Sequence, residues 1–224
     1  MSETLTKILS ELNALSNETT ARIYSKIVVD EKVLGVNRGP LRKLAKTYMP
    51  NHTLGLELWK TPILETRLMA TMILEPKKLT IQDLDALIIQ TTSISMIDEL
   101  TLSVLEDFKD PKALYEAWLH HPDLIHQRAA WNSMIVLVHR KKISVKEADE
   151  LIDYIETHLV ESEEVVRYAM NRCLVEIGVN YPEITQRCLE LGERLGVYKE
   201  VMVSKGCTSP YAPDWIRAVL RRKN

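Results

Sequence analysis

The chain has 224 residues, 46% of them apolar and 27% charged, so it is too apolar to stay disordered and long enough to bury a substantial core. Seven Gly and nine Pro fall well below the ~12% these two types usually contribute, and the turns that a large all-β protein needs go with them. The formal net charge of −2 does not favour an anionic partner, so a nucleic-acid function has to rest on where the cations sit.

From the N-terminus, Leu5, Ile8, Leu9, Leu12 and Leu15 recur at the three- and four-residue spacing of an amphipathic helix. Gly35, Gly39-Pro40 and Pro50 predict breaks, and Thr61-Pro62 places a cap residue before a first-turn proline. Thr80 with Asp83 has capping-box spacing and opens a helix that continues through Leu84, Leu87 and Ile88. Asp110-Pro111 starts another helix, Pro122 ends one, Ser144 with Glu147 forms a second capping box, and Pro182 and Gly206 mark the last breaks. Strand-like alternation is sustained nowhere. The expectation is an all-α protein of roughly ten to twelve helices with short connections.

A weak repeat aligns on an arginine near the start of an apolar run: Arg67-Leu-Met-Ala, Arg128-Ala-Ala-Trp and Arg167-Tyr-Ala-Met. The apolar run around Asp98 falls midway in the longer gap, which fits a helix-pair repeat of roughly 30–40 residues. Such a period implies HEAT-like helix pairs stacked in a curved solenoid, an α-α superhelix whose second helices line a concave surface. A helix bundle without superhelical order is the alternative. No linker separates the repeats, so residues 1–224 are read as a single domain, with 204–224 as a C-terminal capping segment.

The longest apolar run, Met134 to Val138, is far short of the ~18 residues of a membrane span, and the acidic N-terminus does not read as a signal peptide. A cytoplasmic protein with no membrane association is expected, and a monomer. Cys173, Cys188 and Cys207 are odd in number and lack C-x-x-C spacing, so they read as free thiols. His120, His121 and His126 do not share one helix face and have no completing ligand nearby, so no metal is expected. Trp59, Trp118 and Trp131 lie in apolar runs and read as core. The turn-rich stretch from Ser204 to Ile216 reads as an ordered cap on the last repeat, with Tyr211 and Trp215 packed on it.

Cations are unevenly placed. Residues 1–50 hold eight basic and five acidic side chains, residues 51–100 four and seven, and the last twenty five and one, with Arg217, Arg221, Arg222 and Lys223 grouped at the end. A terminal group of this kind is also what a solvated helix end displays, where cations favour the C-terminal dipole.

Four stretches resemble the AlkD-like family of DNA alkylation repair glycosylases, built from HEAT-like helix pairs. They are Val33 to Lys46, Leu58-Trp59 with Glu65-Thr-Arg67 and Ala70, Ile94-Ser-Met-Ile-Asp98, and Gln127-Arg128-Ala-Ala130 with Val166-Arg-Tyr-Ala169 and Leu174 to Gly178. The resemblance covers nearly the whole chain. It implies duplex DNA as partner, excision of N3- or N7-alkylated purines as the reaction, and no metal or organic cofactor. The family's catalytic aspartate falls on Asp98 and its phosphate-contacting arginine on Arg128, while Ile94 and Arg172 stand where the family has two tryptophans flanking the lesion's deoxyribose.

Loss of an alkylated purine leaves positive charge on the sugar, which a carboxylate such as Asp98 stabilises, or for which it orients water. Arg128, Arg67 and Arg172 are candidate phosphate contacts, each with a forked pair of donors, and an arginine in place of a tryptophan favours backbone binding over lesion recognition. Three functions stay open: a DNA glycosylase, a non-catalytic protein that recognises DNA shape or damage, and a protein-interaction scaffold. The bland alternative for Asp98 and for the arginines is an ion pair within or between repeats.

Overall fold

In the computed structural model the apolar periods become helices where the capping signals start them. The structure describes residues 2–26, 28, 31–204 and 206–223, among which there are thirteen α-helices and no strand. Lys205 and Asn224 of the expected cap lie outside the described residues. The chain divides into two compact units, Met1–Asp110 and Pro111–Asn224.

The first unit holds α1 (Glu3–Ala14), α2 (Glu18–Tyr24), α3 (Arg38–Lys46), α4 (His52–Trp59), α5 (Leu64–Ile73), α6 (Ile81–Ile88) and α7 (Ile94–Val104). Helix α5 is its centre: every residue but Met72 is buried, and α3, α4 and α7 all pack on it. Two expected boundaries shift. Gly39-Pro40 lies inside the first turn of α3, where proline's absent N–H would have had no helical acceptor. Thr61-Pro62 does not begin α5, because the Pro62 carbonyl accepts from the Lys32 amide (3.0 Å) and the Leu64 amide donates to the Lys32 carbonyl (2.9 Å), a parallel bridge that keeps residues 62–63 extended until Leu64.

That bridge is reinforced by Glu65. Its fully buried carboxylate accepts the amides of Leu34 (2.9 Å), Gly35 (2.7 Å) and Val36 (3.1 Å), which fixes the loop leading into α3. The loop needs glycine at 35: φ is 86°, and a Cβ there would stand 2.3 Å from the Asn17 carbonyl oxygen.

The second unit holds α8 (Pro111–Trp118), α9 (Leu124–His139), α10 (Val145–His158), α11 (Glu164–Asn180), α12 (Thr185–Leu195) and α13 (Ala212–Lys223). Helices α9 and α11 carry buried residues round most of their circumference, as central helices do; α8 packs on α9, α9 and α10 on α11, and α12 and α13 on α11. Helix α13 approaches α12 closely at Gly192, where a Cβ would meet the Pro213 ring at 2.8 Å. With Asn171 Nδ2 donating to the Pro210 carbonyl (2.9 Å) and Tyr211 buried, the segment before α13 is pinned to α11. Trp59, Trp118 and Trp131 are buried at 0, 5 and 1% exposure.

Both capping boxes form, at Thr80 with Asp83 and at Ser144 with Glu147. Glu147 also receives Lys112 Nζ at 2.7 Å, and these partners hold its carboxyl down to about 2 from an ordinary 4.5. A carboxylate whose pKa folding depresses stabilises fully above its unfolded value and stops doing so as pH falls through the folded one. Urea melts across pH 5 to 2, an interval chosen around those two values, are therefore expected to lose less stability in Glu147→Gln than in the wild type.

Helix α9 ends in paired bonds from Lys141 N to the Val138 carbonyl (3.0 Å) and from Lys142 N to the Leu137 carbonyl (2.8 Å), with Lys141 at φ 52° where glycine is usual. Lys141→Gly relieves that conformation and should raise stability by about 0.5–1 kcal/mol, read as a higher Tm.

Candidate nucleic-acid interface

Helix α7 carries Asp98. Met96, Ile97, Leu100, Thr101 and Val104 face the interior, and Asp98 lies half-buried on the flank with Ile94 one turn before it and Leu102 one turn after. Asp98 is engaged within the protein. The next residue, Glu99, takes a bidentate pair from Arg38 of α3 at 2.8 and 3.1 Å, so the first arginine of the Val33–Lys46 stretch ties α3 to α7.

Beyond Arg38, α3 has no acidic residue, and Arg42, Lys43 and Lys46 are exposed with no ion pair among the described residues. Arg42 and Lys46, one turn apart, border a cavity of about 490 Å³ shared with Met72 of α5 and Leu102 and Ser103 of α7. Asp98 is one turn from Leu102 on the same helix.

The three arginines of the repeat do one job. Arg67 is 4% exposed; its Nε donates to the Trp59 carbonyl (3.1 Å), Nη2 to the Gln90 carbonyl (2.6 Å) and Nη1 to the Glu31 carboxylate, with the guanidinium 5.4 Å from the centre of the Trp59 ring. Arg128, also 4% exposed, donates Nη1 to the Val165 carbonyl at 2.5 Å and lies over the Tyr168 ring. Arg167 donates Nη2 to the Ser162 carbonyl at 2.5 Å. Arg67 and Arg128 bind carbonyls where other helices end or start, and Arg167 one in the turn before its own helix. The sequence places Arg67 among the phosphate contacts; in the structure all three of its nitrogens are committed to the protein, because the turns after α4 and α6 leave carbonyls that only a buried forked donor reaches.

Arg172 differs. It sits half-buried on α11, its Nε is fully buried, and among the described residues the guanidinium meets no hydrogen-bond acceptor or carboxylate. Asp98 belongs to the first unit, Arg128 and Arg172 to the second. His126 is buried, stacked on His121 with ring centres 4.0 Å apart, and its Nδ1 is 3.1 Å from the Asp123 carboxylate. Cys173 and Cys188 are buried, and desolvation pushes both thiols upward, Cys188 to about 12; Cys207 is exposed. The cations at the chain end are partly neutralised, Arg217 by Glu193 at 2.5 Å, while Arg222 reaches Thr208.

Residues 8–216 match the family model described as DNA alkylation repair enzyme. The chain belongs to that family. A Listeria innocua protein, described as uncharacterized protein Lin0241, is 20% identical over 99% of this chain and 98% of its own length. A solved structure described as a new family of proteins related to the HEAT-like repeat DNA glycosylases, with affinity for branched DNA structures, superposes with a TM-score of 0.84 at 22% identity, covering 97% of this chain and 94% of its own. That likeness establishes the HEAT-like repeat fold for this member of the alkylation repair family.

Sequence reasoning did not single out the open cations of α3 or the exposed turn Arg140-Lys141-Lys142 after α9; a count of unpaired basic residues per helix would have flagged α3. Removing Arg67 strands a carboxylate and two carbonyls in the interior. Arg67→Ala is expected to cost about 3–5 kcal/mol in chemical denaturation, with Arg67→Lys recovering little of it because an ammonium lacks the planar fork.

Proposed function

We propose that this protein binds DNA by its backbone and prefers branched over simple duplex structures. The observation that carries this is α3: Arg42, Lys43 and Lys46 stand exposed and unpaired among the described residues, on a helix with no acidic residue, beside a cavity bordered by α5 and α7. Membership of the DNA alkylation repair family and the branched-DNA affinity described for the structural neighbour support the same partner. Arg172 is the further phosphate contact. Arg128 acts as a positioning residue that holds the start of α11 and the Tyr168 ring. The two units work as one DNA-binding domain, consistent with a family match that runs through their boundary. The protein acts as a monomer in the cytoplasm.

A second function is favoured by one observation, the half-buried carboxylate of Asp98 on α7, one turn from Ile94. There it would stabilise a sugar cation as an alkylated purine leaves, with no metal or organic cofactor. Ile94 lacks the aromatic face that the resembled enzymes place against the deoxyribose, so binding without excision is the leading function.

Two measurements on one preparation test both. Changing Arg42, Lys43 and Lys46 together to Gln should weaken binding to every DNA tested and flatten the dependence of log K on log salt by about 0.9 for each phosphate that is no longer neutralised; an unchanged slope removes α3 from the interface. Incubation with DNA carrying N7-methylguanine and N3-methyladenine is expected to free no base. Release that disappears in Asp98→Asn would instead establish the glycosylase.

A further inference from the structure

Three aromatic side chains from three elements meet on the second unit without closing into its core. Tyr168 of α11 has Tyr198 at 6.1 Å between ring centres, edge-on, and Trp215 of α13 at 6.5 Å, tilted. All three are half-buried, unlike the other tryptophans, each of which is at least 95% covered. The Trp215 indole N–H has no acceptor among the described residues and is not fully buried, so a polar edge of the half-buried ring meets solvent. Arg128 braces Tyr168, its guanidinium 5.5 Å from the ring centre.

Tyr198 is held in place by two features of its surroundings. It lies just past the end of α12 at φ 64°, a left-handed conformation that favours glycine, and its hydroxyl donates to Glu164 Oε1 at 2.8 Å in the first turn of α11. One turn beyond Tyr168 on the same helix stands Arg172, which among the described residues has no acceptor for its guanidinium although its Nε is fully buried. A half-covered cation beside an open aromatic cluster lacks its anion. Packing of the C-terminal cap accounts for the aromatic contacts but not for the unpaired guanidinium.

We infer that Tyr168, Tyr198 and Trp215 with Arg172 form a site for one unpaired nucleotide, its base stacked on the aromatic rings and its phosphate held by the guanidinium. Stacking on tyrosine and tryptophan is indifferent to base identity, and a fully paired duplex cannot offer a free base face, so the site reads branch points, flaps and gaps rather than sequence. This rests on the DNA-binding function proposed above and supplies the origin of its preference for branched structures. The site lies wholly within the second unit and uses none of the α3 cations.

The probe is a duplex with a single-stranded flap carrying 2-aminopurine at its first unpaired position, compared with a blunt duplex of the same length. Wild-type protein is expected to bind the flap about ten-fold more tightly, with quenching of the 2-aminopurine and of the Trp215 emission. Tyr168→Leu and Arg172→Gln should each reduce the preference to within about two-fold; Tyr168→Leu leaves blunt-duplex affinity nearly unchanged, whereas Arg172→Gln also weakens it, because that guanidinium contacts phosphate in either DNA. If Tyr168→Leu does not fold, Arg172→Gln with an unaltered Tm decides the matter alone. A preference that survives in the folded variants, or blunt-duplex binding with no preference in the wild type, overturns this site while leaving DNA binding intact. Failure of the wild type to bind either DNA overturns the proposed function, and this site with it.

Discussion

Buried arginines that take up backbone carbonyls hold the helix pairs of this protein together. A helix ends with carbonyls that have no partner in the helix, and short connections bring those carbonyls under the next element, where water cannot reach them. Arg67 answers this from the first turn of α5, bonded to the Trp59 and Gln90 carbonyls where α4 and α6 end, and Arg128 of α9 reaches the Val165 carbonyl at the start of α11; both are nearly inaccessible. Burying a guanidinium is costly unless its donors are satisfied, so the carbonyl geometry and the cation require one another. Glu65 does the complementary task with the opposite charge, collecting three loop amides in front of α3.

This sorts the cations by function. Arg67, which serves the fold, is buried with all three of its nitrogens bonded. Among the described residues, the cations open to an outside anion include Arg42, Lys43 and Lys46 on α3, Lys141 and Lys142 after α9, and the half-buried Arg172. The net charge conceals the distinction, because acidic residues concentrate on other surfaces, as on α10, where Asp149 and Asp153 bind Arg187 of α12. A protein of net charge −2 thus displays a locally basic helix.

Ile94 leaves Asp98 without an aromatic neighbour on its own helix, while the second unit gathers aromatics from its C-terminal elements around α11. The family fold supplies a scaffold of stacked helix pairs, and which of its faces carry chemistry depends on a few side chains that stability does not constrain.

Class and repeat were readable directly because amphipathic spacing and capping boxes are local: Ser144 with Glu147 specifies a helix start whatever lies around it. The described residues hold thirteen α-helices, more than the ten to twelve expected. The family was legible for a related reason, since Glu65, Arg67 and Arg128 are fixed in place by what they bind in the fold. Their roles were not legible. One arginine in a helical repeat looks the same whether it grips a phosphate or a carbonyl, and the choice depends on residues such as Gln90 and Val165 that are distant in sequence. Thr61-Pro62 misdirected the start of α5 because a bridge to Lys32 competes with local helix preference. Sequence alone determined the all-α repeat architecture, since hydrophobic period and caps act over a few residues. Only tertiary structure decided which cations are committed and which are open, because that depends on the acceptors the folded chain brings within reach.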